Sequence, residues 1–509
     1  MNPLLYRRQF LLGPRPVEGL PDAWQRLTVA GGRTLHAHPD LTVTQRERGG
    51  VQLTLLGFAI DPHHPARDDS AVLDDLLTRA GRASEVVKET DHLGGRWALV
   101  AVDAADALAF HDASGLRQVV YARDGGGVWT ASQPLLLGTA VELAPDPEAV
   151  EGFVATRFYQ KKKEAWWPGD RTRYSGVRAL LPNHVLDLDT GKVRRFWPHA
   201  PLGPTTFEGG VSRGSTILRG MMAGAHRRSP LTAAMTAGLD SRLQLAACRD
   251  VAGDVAFFTH LHYGYDATHT DAVVSAKLLG LLGLDHRLIP CPRPDEFAAS
   301  DDPDVAAYRD LYLANTSNSH LGWGSISYAL SRAIPDDHVI VKANCNETTR
   351  HRFRVRSGDE GTDPDALAQT MTKLMGMDGV DFATRAFRAW AEASVGPVEA
   401  CGYDAYDVAF WEQRSGRWQA GDQLERDLDH ETFVPFNSRE YFTTLLGVPA
   451  AYRRAPEPLH REMIRTMWPE TLSVPINPVP FKSRLRATAR RALVATGTLD
   501  LAKRLVRGS

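Results

Sequence analysis

The chain has 509 residues, 43% of them hydrophobic and 24% charged, the composition of a globular protein long enough for two or three domains. A formal net charge of -2 gives no global attraction to nucleic acid or to an anionic membrane, and neither is expected as a partner. The four cysteines, Cys248, Cys291, Cys345 and Cys401, have neither metal-ligand nor redox-motif spacing, so a reduced, cytoplasmic setting is expected.

Near the start, Arg7–Leu12 imitates a twin-arginine export signal. Gly13-Pro14-Arg15-Pro16 then interrupts any apolar core, so export is not expected. No segment approaches the roughly 20 apolar residues of a membrane span. Residues 1 to about 140 read as strands and turns. Val51–Leu56 alternates before Gly57. Arg96–Val102 is a strand after a Gly94-Gly95 turn, and Gln118–Ala122 follows the turn at His111–Gly115. Helical patterns are fewer, at Ser70–Arg82 and Pro134–Thr139. Sandwiched sheets with a few helices are expected. From Pro145 to Pro204 the chain reads as a linker, with a solvated loop at Lys161–Glu164 and a proline turn before His184–Asp189.

After a helical pattern at Val211–Arg227 comes the stretch that organises the rest, Leu231–Arg242. It begins apolar, breaks at Ala237-Gly238 and resumes as a helix over Ser241–Cys248. A strand, a small-residue turn and a helix N-terminus together hold a phosphate, because amides point outward and the helix dipole favours an anion. Gly238 allows close backbone approach. Asp240 can hold a magnesium ion on bound phosphates, and Ser241 can donate a hydrogen bond or cap the helix. The Gly-Lys-Ser/Thr end of a nucleotide P-loop is missing. An ordinary strand-to-helix turn is the competing reading.

Val255–Thr259, His286–Ile289 and Val339–Val341 read as strands that alternate with helices such as Asp271–Leu282, which implies a parallel sheet. Ligands of such sheets bind beyond the carboxyl ends of the strands, where Thr236–Ser241 and Lys342–Arg350 both fall. His260, His262 and His269 fit no zinc spacing and are expected to be loop histidines without a metal role. Glu412 and Arg417 either serve a pocket or lie on a solvated helix surface. The basic pattern Arg484–Arg507 is expected to dock back on the protein, with membrane or nucleic-acid contact as the alternative.

Thr236–Ser241 resembles the pyrophosphate loop Ser-Gly-Gly-Leu-Asp-Ser of the asparagine synthetase and β-lactam synthetase family, with Thr236 and Ala237 replacing the first Ser and Gly. Leu93–Val100, Asp112–Arg117 and Ala131–Pro134 are similar, in order, to the family's glutaminase domain. The resemblance implies an α/β fold in two parts. Residues 1–200 would form a degenerate Ntn-hydrolase-like αββα sandwich. Residues 205–509 would form a doubly wound parallel-sheet ATP-pyrophosphatase domain with helical additions. The family's glutaminase cysteine falls on Asn2, and Gly57–Ala59 and Gly94-Gly95 occupy its glutamine-binding stretches, so no glutamine hydrolysis is expected.

Lys342–Arg350 is similar to the family's Ser-Gly-Glu-Gly-Ser-Asp-Glu run, with Asn346 at the Asp, Ala343 at the earlier Glu, and Glu347 next. The resemblance implies a magnesium site made by Asp240 and Glu347. The alternative is that Glu347 caps a helix or pairs with Arg350. Glu431–Glu440 resembles the segment that builds the acceptor side of the pocket, which makes Glu431 a catalytic candidate. The family's lysine falls on Ile476-Asn477, so Lys482 is the expected donor to phosphate. Thr236, Ala237, Gly238, Leu239, Asp240, Ser241 and Thr259 form the expected nucleotide-binding set. The implied activity is ATP- and magnesium-dependent amide formation in specialised metabolism, through an acyl-adenylate attacked by an amine. Its substrates would be a small-molecule or peptide carboxylate and amine, with a precursor peptide or pathway protein as partner. A non-catalytic scaffold derived from the family is the alternative, supported by the substitutions at Thr236, Ala237, Ala343, Asn346 and Ile476.

Overall fold

Strands whose central members are buried on both faces build two antiparallel sheets in the first half of a computed structural model, which describes residues 2–161, 166–317, 320–358 and 361–478. One sheet runs Arg178–Ala179, Val120–Asp124, Gly127–Ala131, Phe10–Gly13, Arg33–Ala37, Gln25–Val29. The other runs Val193–Arg195, His184–Asp187, Ala107–His111, Gly94–Val102, Val51–Ile60, Val43–Arg48. Phe10, Leu12 and Leu35 of the first meet Leu56, Ala98 and Val100 of the second. On the outer face of the second sheet, Leu53, Leu55 and Trp97 share a core with Leu73 and Leu76 of the helix Asp69–Arg79. On the outer face of the first, Leu11 and Trp129 pack on Leu136 and Leu137 of Pro134–Leu137. The layers are therefore helix, sheet, sheet, helix.

Three readings need correction. Gly57 lies inside its strand, and Gly94-Gly95 is not a turn before a strand but the first two residues of Gly94–Val102. The pairing runs through them, Gly57 opposite Trp97 and Ala59 opposite Gly95. Gly57 and Gly95 have φ of +101° and +97°, and a Cβ would lie 2.2 Å from the Arg96 carbonyl oxygen or 2.3 Å from that of Phe58. Glycine here lets two backbones approach within one continuous ladder. The stretch from Pro145 to Pro204 is not a plain linker, because Arg178–Ala179, His184–Asp187 and Val193–Arg195 pair onto both sheets. Glu412 is not on a solvated surface. It is fully buried, and Arg195, the Asn183 Nδ2 and the Trp390 Nε1 all donate to it.

The second half carries a five-stranded sheet in the order His286–Pro290, Val255–Leu261, Leu231–Ala234, Val339–Val341, Thr432–Phe433, every pair parallel. The strand earliest in sequence is central. The chain builds outward from it to one side and then returns to the other. The connections leaving Leu231–Ala234 and Val339–Val341 therefore diverge at their carboxyl ends and leave a crevice between them. Helices Phe207–Arg228, Leu239–Ala247 and Pro458–Met467 pack against one another beside this sheet.

Both halves share one hydrophobic core, in which Trp97 and Leu53 are continuous with Met221, Leu239 and Phe433. Charges stitch them as well. The twin arginines turn inward. Arg7 pairs with Asp40 at 2.6 Å and donates to the Leu428 and Asp429 carbonyls, and Arg8 donates to that of Asp427 at 2.8 Å. Among the described residues, no helix is long and apolar enough to cross a membrane. Lys482 and the basic stretch Arg484–Arg507 lie outside the described residues.

Candidate functional site

The crevice is lined on one side by the turn after Leu231–Ala234. Met235 still donates to the Phe258 carbonyl at 2.8 Å, so the strand is held to its end. The Thr259 hydroxyl bonds the Met235 carbonyl at 2.8 Å and faces the His286 Nε2 at 2.9 Å, which makes Thr259 a tie between strand ends. Beyond Met235 the turn is self-bonded. The Thr236 and Ser241 hydroxyls lie 2.9 Å apart, Ser241 Oγ donates to the Thr236 carbonyl at 3.0 Å, and the Gly238 amide reaches Thr236 Oγ1 at 3.2 Å. The Ala237 amide donates to Asp271 Oδ1 at 2.8 Å, and the Asn477 amide closes the turn onto the Ala237 carbonyl at 2.9 Å. Gly238 then precedes the helix Leu239–Ala247, whose N-terminus has no side-chain cap. The amides of Leu239, Asp240 and Ser241 stand in its first turn, where helix geometry supplies them no partner. This is an anion-binding end.

Across the crevice, Lys342 and the following residues leave Val339–Val341 and form a short turn of helix, Asn346–Arg350. Two non-glycine residues in the left-handed region bracket it, Cys345 at φ 70° and His351 at φ 52°. Such conformations cost of order 1 kcal/mol or more and persist where the surroundings enforce them. Here they aim Asn346, Glu347 and Arg350 at the facing loop. The Asn346 Nδ2 donates to Asp240 Oδ1 at 2.6 Å, and Asn346 Oδ1 accepts from the Tyr441 hydroxyl at 2.8 Å. Arg350 spans both Asp240 oxygens at 2.7 and 2.5 Å and reaches Glu457 at 3.3 Å. Glu347 is held more loosely, by the Gln419 Nε2 at 3.3 Å and Arg352 at 3.9 Å. Burial, and then the charge of Asp240, push the Glu347 carboxyl up from its ordinary value. The two acids therefore sense each other across the crevice, and together they are the groups that could hold a cation.

A cavity of about 160 Å³ opens on the sheet face beside this crevice, lined by Ala234, Phe258, Ile340, Trp323 and Trp418 with Lys342 at its polar end. Lys342 is ion-paired with Asp422, and burial lowers its affinity for the proton. His260 lies inside the strand Val255–Leu261 at the same cavity, not in a loop, and burial pulls it down to about 3, which leaves it neutral. Among the described residues, one group has metal-site spacing, His351, Asp404 and Asp407, but Arg354 and Arg453 already pair with its carboxylates.

Glu431 is not brought to this crevice. It precedes Thr432–Phe433 and so lies at the amino edge of the parallel sheet, opposite to Asp240. Burial opposes its ionisation, but Arg117 and Arg96 at 2.5 and 2.8 Å outweigh that and hold it at about 2. Its place is in the joint between the halves, where a strand-end position cannot serve both edges of the sheet. The residues that the sequence did not single out are Arg350 in its grip on Asp240, Asp271, Gln419, Tyr441 and Glu457. Most are remote in sequence from the loop they touch, so no local pattern marks them.

No protein-family model matches the chain, and no curated protein matches it. Among solved structures, the glutamine phosphoribosylpyrophosphate amidotransferase from B. subtilis complexed with ADP and GMP is 12% identical, with a TM-score of 0.22, over 56% of this chain and 61% of that chain. The structure of an allosteric regulatory enzyme of purine biosynthesis is 11% identical, with a TM-score of 0.24, over the same shares. The alignment thus spans about three fifths of each of those chains. Both neighbours are similar to this chain at a level that assigns it no family.

Proposed function

We propose that this chain is an asparagine synthetase-like ligase that uses ATP to activate a carboxylate and then joins it to an amine. One observation carries the reading. At the switch point of a doubly wound parallel sheet, an uncapped helix end at Leu239–Ser241 carries Asp240, and Glu347 stands across from it with its carboxyl pushed up by burial and by the charge of Asp240. The helix amides would bind the pyrophosphate portion of the nucleotide, and the aromatic cavity beside Lys342 would take its flat base. The donor set fits a hard divalent cation, since both groups are carboxylates. Asp240 and Glu347 would hold magnesium, which when bound supplies neutralising charge to the leaving pyrophosphate. The carboxylate oxygen attacks the α-phosphate, pyrophosphate departs, and the amine displaces AMP to leave an amide. Lys482 remains the expected donor to the phosphates.

The first half supports the same reading as a retained sandwich without glutaminase chemistry. It has the helix, sheet, sheet, helix layering, yet it contains no cysteine to supply a thiolate. The acceptor and donor would be a small-molecule or peptide carboxylate and amine. The deciding experiment measures pyrophosphate release from ATP and magnesium over a panel of candidate acids. Acid-dependent release supports the ligase. A second reading, a non-catalytic binding protein, is favoured by the saturation of Asp240 by Arg350. Nucleotide binding with no release for any acid would select it.

A further inference from the structure

Asp240 is the most heavily engaged group in the crevice. Its two oxygens receive three hydrogen bonds, two from Arg350 NH1 and one from the Asn346 amide. Bonds from a guanidinium to a carboxylate are charge-assisted and about twice as strong as neutral ones. Arg350 is 8% exposed, so the pair is little screened by water. Its other end is anchored on Glu457, and its Nε is buried without a hydrogen-bond partner. Glu347, one residue after Asn346, has no comparable grip.

We infer that Arg350 is a latch, an internal cation that occupies the Asp240 carboxylate and must let go before a divalent cation can be held between Asp240 and Glu347. The inference rests on the ligase reading for the purpose of the site but not for the latch itself. A polyphosphate arriving at the Leu239–Ser241 amides offers Arg350 a more highly charged acceptor than one carboxylate, with oxygens its fork can also grip. Release of Asp240 would follow, and cation and nucleotide would enter as a coupled pair. While the latch is closed, the affinity for the cation alone is reduced by the fraction of molecules in the competent state.

Binding of Mn2+ to the nucleotide-free protein, read by electron paramagnetic resonance of the free ion, tests this without reference to turnover. Arg350→Gln is expected to bind Mn2+ about tenfold more tightly than wild type. Arg350→Lys keeps the positive charge on a shorter side chain that lacks the second arm to Glu457, and it is expected to gain about threefold. Asp240→Asn introduced into Arg350→Gln should abolish the gain. Should Arg350→Gln fail to fold, the lysine variant decides alone. No gain in Arg350→Lys, or a gain that survives Asp240→Asn, overturns the latch. Pyrophosphate release by wild type, measured alongside, separates the two ideas. Turnover without any Mn2+ gain removes the latch and leaves the ligase, and a gain without turnover does the reverse.

Discussion

Two arginine–carboxylate clusters sit at opposite edges of one parallel sheet, and they hold their glutamates in opposite states. At the amino edge, Glu431 has Arg96 and Arg117 within 2.8 Å and is held at about 2. At the carboxyl edge, burial and Asp240 push Glu347 upward, and its nearest cation, Arg352, is 3.9 Å away. Both side chains are largely removed from water, so burial does not separate them. The direct cationic partners do. Glu431, held between two arginines, works as a joint, whereas Glu347 has a charge still to be met. The amino edge also has the larger cavity, about 510 Å³ beside Arg8, His338 and Glu431. Its size is a poor guide to chemistry, because Glu431 and the neighbouring Asp40 and Asp69 are already paired with arginines.

The largest expected effect breaks the saturated cluster. Arg96 grips Asp427 with two nitrogens at 2.5 and 3.0 Å and also serves Glu431. Arg96→Ala leaves the buried carboxylates of Asp427 and Glu431 to Arg117 alone and is expected to cost about 3 kcal/mol of stability in a urea titration. A loss below about 1 kcal/mol would mean that the joint lies elsewhere.

Next is a third buried glutamate, Glu425, which has a neutral partner. Burial pushes it up to about 7, and its carboxylate accepts from the Tyr312 hydroxyl and from the Trp323 amide at 3.2 Å. Its unfolded value is 4.5, so the folded chain retains a proton that the unfolded chain releases. That contribution is whole below pH 4.5 and disappears as the pH rises through about 7, for a loss on the order of 3 kcal/mol. Glu425→Gln should flatten the stability profile across that window. An unchanged slope would mean that Glu425 is ionised in the fold.

Much of this arrangement is legible in the residues, and the exceptions share a physical cause. The apolar run Val339–Val341 and the small-residue break at Ala237-Gly238 are local signals, and a strand and a strand-to-helix turn stand there. Gly57 and Gly95 look like strand breaks, because a glycine that breaks a strand and one that permits close approach within it are the same residue. Arg7 and Arg8 imitate a targeting signal, yet both donate to backbone carbonyls more than 400 residues away. A segment resemblance puts Glu431 at the pocket, but it does not say to which edge of the sheet a residue before the strand belongs. The Arg350 grip on Asp240 joins positions 110 residues apart and leaves no trace in either neighbourhood.

The undersupplied edge can be broken at Asp240. Asp240→Asn removes one of the two facing acids and is expected to lower ATP-to-pyrophosphate turnover roughly a hundredfold. The fold should persist, since Glu457 still holds Arg350. Unchanged turnover would place the nucleotide elsewhere.

The smallest expected effect is the sharpest test of the comparison, because it adds charge to the edge that lacks cations. Asn346 stands between the two sides of the crevice, donating to Asp240 and accepting from Tyr441. In Asn346→Asp the Tyr441 bond survives, since a carboxylate oxygen still accepts. The bond to Asp240 becomes a contact between two carboxylates. Without a divalent cation the variant should be less stable by about 1 kcal/mol, the scale of one lost hydrogen bond. With magnesium present the added carboxylate becomes a ligand, and the melting temperature should recover to that of wild type. The same substitution should partly restore turnover to Glu347→Gln, whose own loss is the larger. A deficit of equal size with and without magnesium would mean that Asn346 and Asp240 do not flank a cation. The carboxyl edge would then be a second structural joint, differing from the amino edge in degree and not in kind.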